Sequence, residues 1–232
     1  MITGRLIGVG VGPGDPDLLT IKAVKAIKSA PVIAYVSANG GASMARQIVA
    51  EHMSASTREI KFTLPMNPMP ELAQAAYDEG ASRIGAELEK GLNVVALCEG
   101  DPMFYGSFGH LFMRLAHLYP TEIIPGISSV MAAAATAQRP LAFGQDSVAI
   151  IPATTSDELL TARLKAANGA VIMKLGRHLE KVRKILDQLD LTQHAIYVER
   201  ASTAEEKAIP LVDLDEIDAP YFSLILISKY RR

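Results

Sequence analysis

Short apolar runs that favour β-strands alternate with longer segments of helical period along the 232-residue chain. This alternation is typical of a mostly parallel sheet flanked by helices, because parallel neighbours need a crossover connection between them. The predicted strands span residues 5–11, 31–36, 58–64, 92–98, 122–124, 148–151, 170–175, 195–198 and 221–229. The predicted helices span residues 43–53, 71–90, 104–118, 128–137, 157–167 and 178–189, with a further helix beginning at Asp15 or Thr20.

A loop of mixed composition at residues 138–146 interrupts the alternation, which then begins again. The sequence therefore predicts two α/β lobes of about 100 residues each, a common domain size. We place the N-terminal α/β lobe at residues 1–140 and the C-terminal α/β lobe at residues 141–232. A hydrophobic content of 49% is sufficient for a buried core in each lobe.

Composition excludes several classes of protein. The chain has 23 basic and 25 acidic residues and a net charge of −2, so no broad basic surface for nucleic acid is expected. No apolar run approaches the roughly 20 residues of a membrane span, and no signal peptide is evident. The single cysteine, Cys98, is more consistent with a small core residue than with a nucleophile. We expect a cytoplasmic protein with no membrane partner.

Glycines follow the first predicted strand, in residues 8–15. Glycine lets a ligand or another backbone approach closely. A dinucleotide fingerprint fails here, because Pro13 or Asp15 stands where its last glycine is required. A phosphate-binding Walker loop fails as well. The segment is either a ligand loop of another kind or a tight turn without a ligand.

Two acids follow the strand that ends at Cys98, in the segment Glu99-Gly100-Asp101-Pro102. Carboxyl ends of parallel strands are where open α/β sheets bind ligands, and unpaired acids are costly in a core. Glu99 and Asp101 therefore suit a polar cleft, although Asp-Pro also starts ordinary turns.

Two further segments combine a strand end with polar residues. Ser128 and Ser129 stand at the start of a predicted helix, where free N–H groups suit a carboxylate or a hydroxyl, or where a serine simply caps the helix. Lys174 and Arg177 follow a strand of the second lobe and suit ligand carboxylates. The alternative for this basic segment, which Lys181, Arg183 and Lys184 extend, is a solvated helix face. His110 and His117 lie seven positions apart without further ligands, so no metal site is expected.

The segments in combination resemble the tetrapyrrole methylases, the S-adenosylmethionine-dependent methyltransferases of corrin and sirohaem synthesis. Residues 9–20 (VGVGPGDPDLLT) resemble the first motif of that family, residues 100–106 (GDPMFYG) the second, and residues 125–129 (PGISS) the third. Residues 105–108, 171–178, 197–201 and 220–224 are similar to the branch that methylates C-20 of precorrin-2 or of cobalt-factor II.

This resemblance implies two α/β lobes around a cleft, a homodimer, S-adenosylmethionine as methyl donor, and a tetrapyrrole substrate. It implies no protein-bound metal. The cofactor contacts that it implies fall on Pro13, Glu99, Gly100, Asp101, Phe104, Ser128, Ser129, Met173 and Ala201. The expected contacts to substrate carboxylates are Lys174 and Arg177, followed by His178, and substrate contacts are expected to vary at residues 55–69.

The implied reaction joins an activated methyl group to an electron-rich carbon, so alignment supplies much of the acceleration. Well-oriented pairs gain about 7–11 kcal/mol. Only a weak acceptor is needed for the meso proton that leaves afterwards. Glu99 and Tyr105 are the candidates for this catalytic role, beside water. Asp101 is expected to favour the cationic cofactor electrostatically.

Overall fold

The computed structural model of the chain describes residues 3–65 and 70–228. Its contacts form two compact units that divide between Ser128 and Ser129. This division precedes the helix 129–136, whereas the predicted boundary at residue 140 follows that helix. Residues 66–69 of the segment predicted for variable substrate contacts, and residue 229 of the last predicted strand, lie outside the described residues.

The first unit is a five-stranded sheet in the order β3-β2-β4-β1-β5. Every pairing within it is parallel. Its strands are β1 (Leu6–Gly10), β2 (Val32–Ala38), β3 (Arg58–Leu64), β4 (Val94–Cys98) and β5 (Thr121–Ile124). Its helices are α1 (Ile21–Lys28), α2 (Met44–Ile48), α3 (Pro70–Glu89) and α4 (Phe108–Leu115).

Helices cover both faces of this sheet, because its strands carry apolar residues on both sides. Val94, Ala96 and Cys98 pack in one core with α3 and α4. The alternate residues Val95 and Leu97 pack in a second core with α1 and α2. The predicted α/β layering is thereby confirmed for this unit.

Both predicted starts of the first helical segment are used. The side chain of Asp15 accepts a hydrogen bond from the Asp17 amide at 2.8 Å and caps a 3-10 turn, Pro16–Leu18. Thr20 then caps α1 through the Ala23 amide at 3.1 Å. Asp and Thr are both favourable N-cap residues, so the chain makes two successive short helical segments.

The second unit is also a five-stranded sheet, in the order β6-β7-β10-β8-β9. Its strands are β6 (Val148–Pro152), β7 (Gly169–Met173), β8 (Ala195–Glu199), β9 (Lys207–Pro210) and β10 (Ser223–Ile227). Its helices are α5 (Ser129–Thr136), α6 (Asp157–Ala166) and α7 (Leu179–Gln188).

This second sheet is mixed rather than parallel throughout. β6 pairs with β7 in parallel, whereas β10 runs antiparallel to β7 and β8, and β9 antiparallel to β8. No crossover helix follows β8, because the chain turns back directly into β9. Strands β9 and β10 therefore both pair with β8 in the antiparallel direction. Strand β9 was not predicted. Within residues 3–65 and 70–228, no helix is both long and apolar enough to cross a bilayer.

Candidate functional site

The carboxyl ends of β1 and β4 are joined by backbone hydrogen bonds. The Gly12 amide donates to Gly100 O at 3.3 Å and the Gly100 amide donates to Gly12 O at 2.8 Å. Both glycines have left-handed backbone, with φ of 79° and 66°. The chain continues from β1 to α1 and from β4 to α4, helices that pack in the two different cores of this sheet. Such a reversal between adjacent strands is the usual ligand-binding position of an open α/β sheet.

Glycines allow the loop after β5 to reach the same point. A Cβ on Gly126 would lie 2.1 Å from Gly100 O and 2.7 Å from the Gly10 Cα. A Cβ on Gly10 would lie 2.5 Å from the Gly126 amide nitrogen. Gly10, Gly100 and Gly126 therefore pack backbone against backbone, and no side chain separates the three loops. Gly8 has a different role, because its Cβ would lie 2.3 Å from the Phe108 ring of α4.

Asp101 ties two of these loops together. Its Oδ1 accepts a hydrogen bond from the Met103 amide at 2.9 Å, and its Oδ2 accepts one from the Gly126 amide at 3.0 Å. Hydrogen bonds to an ionised group contribute about 1.5–3 kcal/mol each. The arrangement gives Asp101 a structural role at this edge, which the expectation of an electrostatic contact with a cationic cofactor did not include.

Glu99 is half-buried at the end of β4. Its Oε1 accepts a hydrogen bond from the Ala45 amide at 3.2 Å, close to the N-terminus of α2. One carboxylate oxygen thus positions α2 against the end of the sheet.

Aromatic side chains follow Asp101. The rings of Phe104 and Tyr105 make an edge-to-face contact with centroids 5.0 Å apart. Phe104 is half-buried, whereas Tyr105 is 49% exposed and has left-handed backbone with a φ of 55°. Pro13 is half-buried in the loop after β1.

Ser129 is the first residue of α5, and Ser128 directly precedes it. Both serines are half-buried.

In the second unit, Met173 and Ala201 lie at the same edge of the second sheet, where β7 and β8 end. Met173 ends β7 and Ala201 comes two residues after β8, and both strands flank the start of β10. Met173 O accepts a hydrogen bond from the Ala153 amide at 2.7 Å, which joins the ends of β6 and β7. Ala201 is 8% exposed.

The three expected substrate-binding residues follow β7. Lys174 is exposed with left-handed backbone at a φ of 59°, and Arg177 is exposed within a 3-10 turn, Gly176–His178. In the part of the chain that the structure describes, Arg177 has neither an ion pair nor a hydrogen bond. Burial, with Lys181 and Arg177 nearby, lowers the pKa of His178, so it favours the neutral imidazole.

The basic residues of α7 are engaged within the unit. Lys181 donates to Thr155 O at 2.6 Å and lies 3.6 Å from Asp157, and Lys184 pairs with Glu180 at 2.7 Å. Arg183 donates to Glu216 O at 3.2 Å. The extension of the basic segment along α7 is thus a surface of local contacts within the second unit.

Cys98 is fully buried, and this burial raises the pKa of its thiol. It is a core residue, as predicted. The Asp101–Gly126 contact was not predicted, because the two residues stand 25 positions apart. The sequence signal for that contact is the position of Asp101 directly after Gly100 at the end of a strand.

The family described as Tetrapyrrole (Corrin/Porphyrin) Methylases matches residues 5–218. Cobalamin biosynthesis protein CobIJ of Mycobacterium tuberculosis is 41% identical over 99% of this chain and 47% of its own length, so this chain spans about half of that relative. Precorrin-2 C(20)-methyltransferase of a Sinorhizobium species is 38% identical over 98% of this chain and 96% of its own length. Cobalt-precorrin-2 C(20)-methyltransferase of Salmonella typhimurium is 30% identical over 98% of each.

Among solved structures, uroporphyrin-III C-methyltransferase of Thermus thermophilus in complex with S-adenosylhomocysteine has the same fold. It superposes with a TM-score of 0.70 over 97% of this chain and 98% of its own, at 24% identity. The matched residues 5–218 extend through most of both units and include all the strand-end segments described above. The chain belongs to the tetrapyrrole methylase family.

Proposed function

We propose that this chain transfers the methyl group of S-adenosylmethionine to the C-20 meso carbon of precorrin-2, giving precorrin-3A in cobalamin biosynthesis. The observation that carries the proposal is the 38% identity to a precorrin-2 C(20)-methyltransferase over nearly the whole of both chains. We propose the metal-free ring as the substrate, because the chain is less identical, at 30%, to the enzyme named for the cobalt-containing ring.

The cofactor site that we propose uses Pro13, Glu99, Gly100, Asp101 and Phe104 in the first unit. Backbone groups of closely packed glycine loops, two half-buried carboxylates and a half-buried ring fit a zwitterionic nucleoside. Ser128, Ser129, Met173 and Ala201 are the remaining proposed contacts. Bound S-adenosylmethionine supplies a methyl group that its sulfonium already activates.

The chain's own residues then align and hold the reactants. Asp101 fixes the loops after β4 and β5, so it acts on the cofactor through their backbone. Lys174 and Arg177 orient carboxylates of the tetrapyrrole, and Arg177 suits this role because guanidinium binds carboxylate in a bidentate manner. His178 contributes a neutral hydrogen-bond donor, given the direction of its pKa shift.

The meso proton leaves after transfer, and Glu99 or Tyr105 is the proposed acceptor. The variant E99Q keeps an oxygen for the Ala45 amide and loses the basic carboxylate. A fall in kcat of about a hundredfold in E99Q, with Y105F unchanged, assigns the proton to Glu99. The reverse result assigns it to Tyr105, and two unchanged variants assign it to water.

A turnover assay tests the proposal. The purified chain is incubated anaerobically with S-adenosylmethionine and precorrin-2, and in parallel with cobalt-precorrin-2. We expect addition of a single methyl group and a higher kcat/KM for the metal-free ring. Omission of S-adenosylmethionine is the control. Absence of methylation of both rings would contradict the proposal, and a higher kcat/KM for the cobalt ring would reverse the assigned preference.

We propose in addition that the enzyme is a cytoplasmic homodimer, as the family resemblance implies. Sedimentation equilibrium of the purified chain tests the assembly, for which we expect twice the mass of a 24.9 kDa chain.

A further inference from the structure

The turn after β8 is held in an unusual conformation around Ala201. Arg200 and Ser202 both have left-handed backbone, with φ of 47° and 68°. Residues other than glycine rarely adopt this conformation unless surrounding contacts impose it. The Arg200 carbonyl accepts hydrogen bonds from the Thr203 amide at 3.0 Å and from its hydroxyl at 2.9 Å. The turn therefore depends on specific hydrogen bonds.

A single carboxylate oxygen extends this network to a helix. Glu206 Oε2 accepts a hydrogen bond from the Ser202 amide at 2.9 Å and another from Thr136 Oγ1 at 3.0 Å. Thr136 is the last residue of α5, and Ser129 is the first. Glu206 thereby joins the turn that carries Ala201 to the helix that begins with Ser129.

We propose that Glu206 is a positioning residue for cofactor binding, because it fixes the Ala201 turn relative to α5. An α-helix rises about 1.5 Å per residue and is stiff over so short a length. A hydrogen bond at the C-terminus of α5 thus restrains its N-terminus, where two proposed cofactor contacts lie. This inference rests on the proposed function for the identity of the ligand.

The neighbouring Glu205 provides a matched control. Its carboxylate pairs with the Arg200 side chain within the same turn, and its side chain is 70% exposed. Among the described contacts of Glu205, none reaches α5. Both variants remove one exposed acid from the same turn, but only the change at Glu206 releases the helix.

The experiment measures S-adenosylhomocysteine binding to the full chain by isothermal titration calorimetry. We expect E206A to raise Kd about fivefold, the effect of losing one ordinary hydrogen bond, with the stoichiometry unchanged. E206Q retains an oxygen acceptor and should bind within twofold of the wild type, as should E205A. In turnover assays, E206A should raise KM for S-adenosylmethionine and leave kcat and the tetrapyrrole KM nearly unchanged.

A role in stability alone would give a different pattern. It would lower the fraction of binding-competent protein and leave Kd of that fraction unchanged, and this result would overturn the inference. T136V removes only the donor on α5 and carries the same test if E206A does not fold. Failure of the wild-type chain to bind S-adenosylhomocysteine would instead contradict the proposed function itself.

Discussion

At the scale of single residues, the site depends on side chains that hold backbone in place. Both carboxylate oxygens of Asp101 accept hydrogen bonds from amides of two loops, and one oxygen of Glu99 accepts a hydrogen bond from the Ala45 amide. Beside the direct contacts that we propose for them, both residues would act on a ligand through the loops that they order. Their variants are therefore expected to change stability and affinity together.

The first prediction concerns Asp101. D101A should lower the free energy of unfolding by about 3 kcal/mol, because two charge-assisted hydrogen bonds of about 1.5 kcal/mol each are lost at a half-buried position. D101N keeps one acceptor oxygen and should lose about half as much. We expect D101A to weaken S-adenosylhomocysteine binding at least tenfold. Urea unfolding and calorimetry measure the two effects.

The control for Asp101 is D218A, which removes an exposed carboxylate from the second unit. Its stability should stay within about 0.5 kcal/mol of the wild type. Unchanged ligand affinity in D101A would place the cofactor elsewhere in the molecule.

The second prediction concerns Arg177, which is exposed and has no ion pair within the described residues. R177A should raise the tetrapyrrole KM about tenfold, since one charged hydrogen-bonding group is lost. Binding of S-adenosylhomocysteine should remain within twofold. K184A is the matched control, because Lys184 already pairs with Glu180. An equal loss of both ligands in R177A would assign Arg177 a structural role.

At the scale of elements, the close packing of three strand-end loops forms the candidate site. A third prediction compares two glycines. G126A should lose about 3 kcal/mol of stability, because its Cβ would overlap the Gly100 carbonyl oxygen. G109A lies in α4 with open space around its Cβ, and should gain about 0.5 kcal/mol from helix propensity. Equal stability of the two variants in urea would contradict the described loop packing.

The fourth prediction concerns the anchoring of α2 to β3. Arg46 donates from Nε and Nη2 to the two oxygens of Glu59, each at 3.1 Å, and Tyr35 donates to Glu59 at 2.6 Å. These contacts lower the pKa of Glu59, and the hydrogen bonds from Arg46 have the largest effect. A carboxyl pKa that is lower in the folded state stabilises the fold above the unfolded value of about 4.3, and this stability disappears as pH falls through the folded value.

The variant E59Q should accordingly be less stable than the wild type by about 1 kcal/mol at pH 7, since this pair is partly exposed. Thermal unfolding should show that the stability difference between E59Q and the wild type shrinks as the pH falls from about 5 to about 3. The control E51Q changes an exposed glutamate that has no ion pair in the described part of the chain. A difference that is constant with pH would exclude an ionic contribution of Glu59.

Strand positions were largely predictable from sequence, because strand 58–64 alternates exposed with buried residues over most of its length and strand 94–98 is a short apolar run that is buried throughout. The start of α4 was not. Its helical pattern begins at residue 104, but the Asp101 turn and the left-handed Tyr105 delay the helix to Phe108. β9 was missed because its four residues are partly exposed and end in a proline. Contacts such as Glu206–Thr136 leave no periodic pattern, since they join positions 70 residues apart.

At the scale of the whole molecule, two α/β units carry their own hydrophobic cores, and strand-end loops in each carry the proposed ligand contacts. The net charge of −2 excludes a broad basic surface, yet a carboxylate-rich small molecule needs only a few basic groups. Lys174 and Arg177 are the groups that we propose for this role, since both are exposed and follow the carboxyl end of β7.

Methylation at C-20 is tested most directly by the ring position of the transferred carbon. The chain is incubated with precorrin-2 enriched in carbon-13 at C-20 and with S-adenosylmethionine labelled with carbon-13 in its methyl group, and the product is examined by carbon-13 NMR. We predict a single labelled methyl group whose carbon couples to the C-20 meso carbon. A label at any other ring position, or no label in the tetrapyrrole, would contradict methylation of C-20 by this chain.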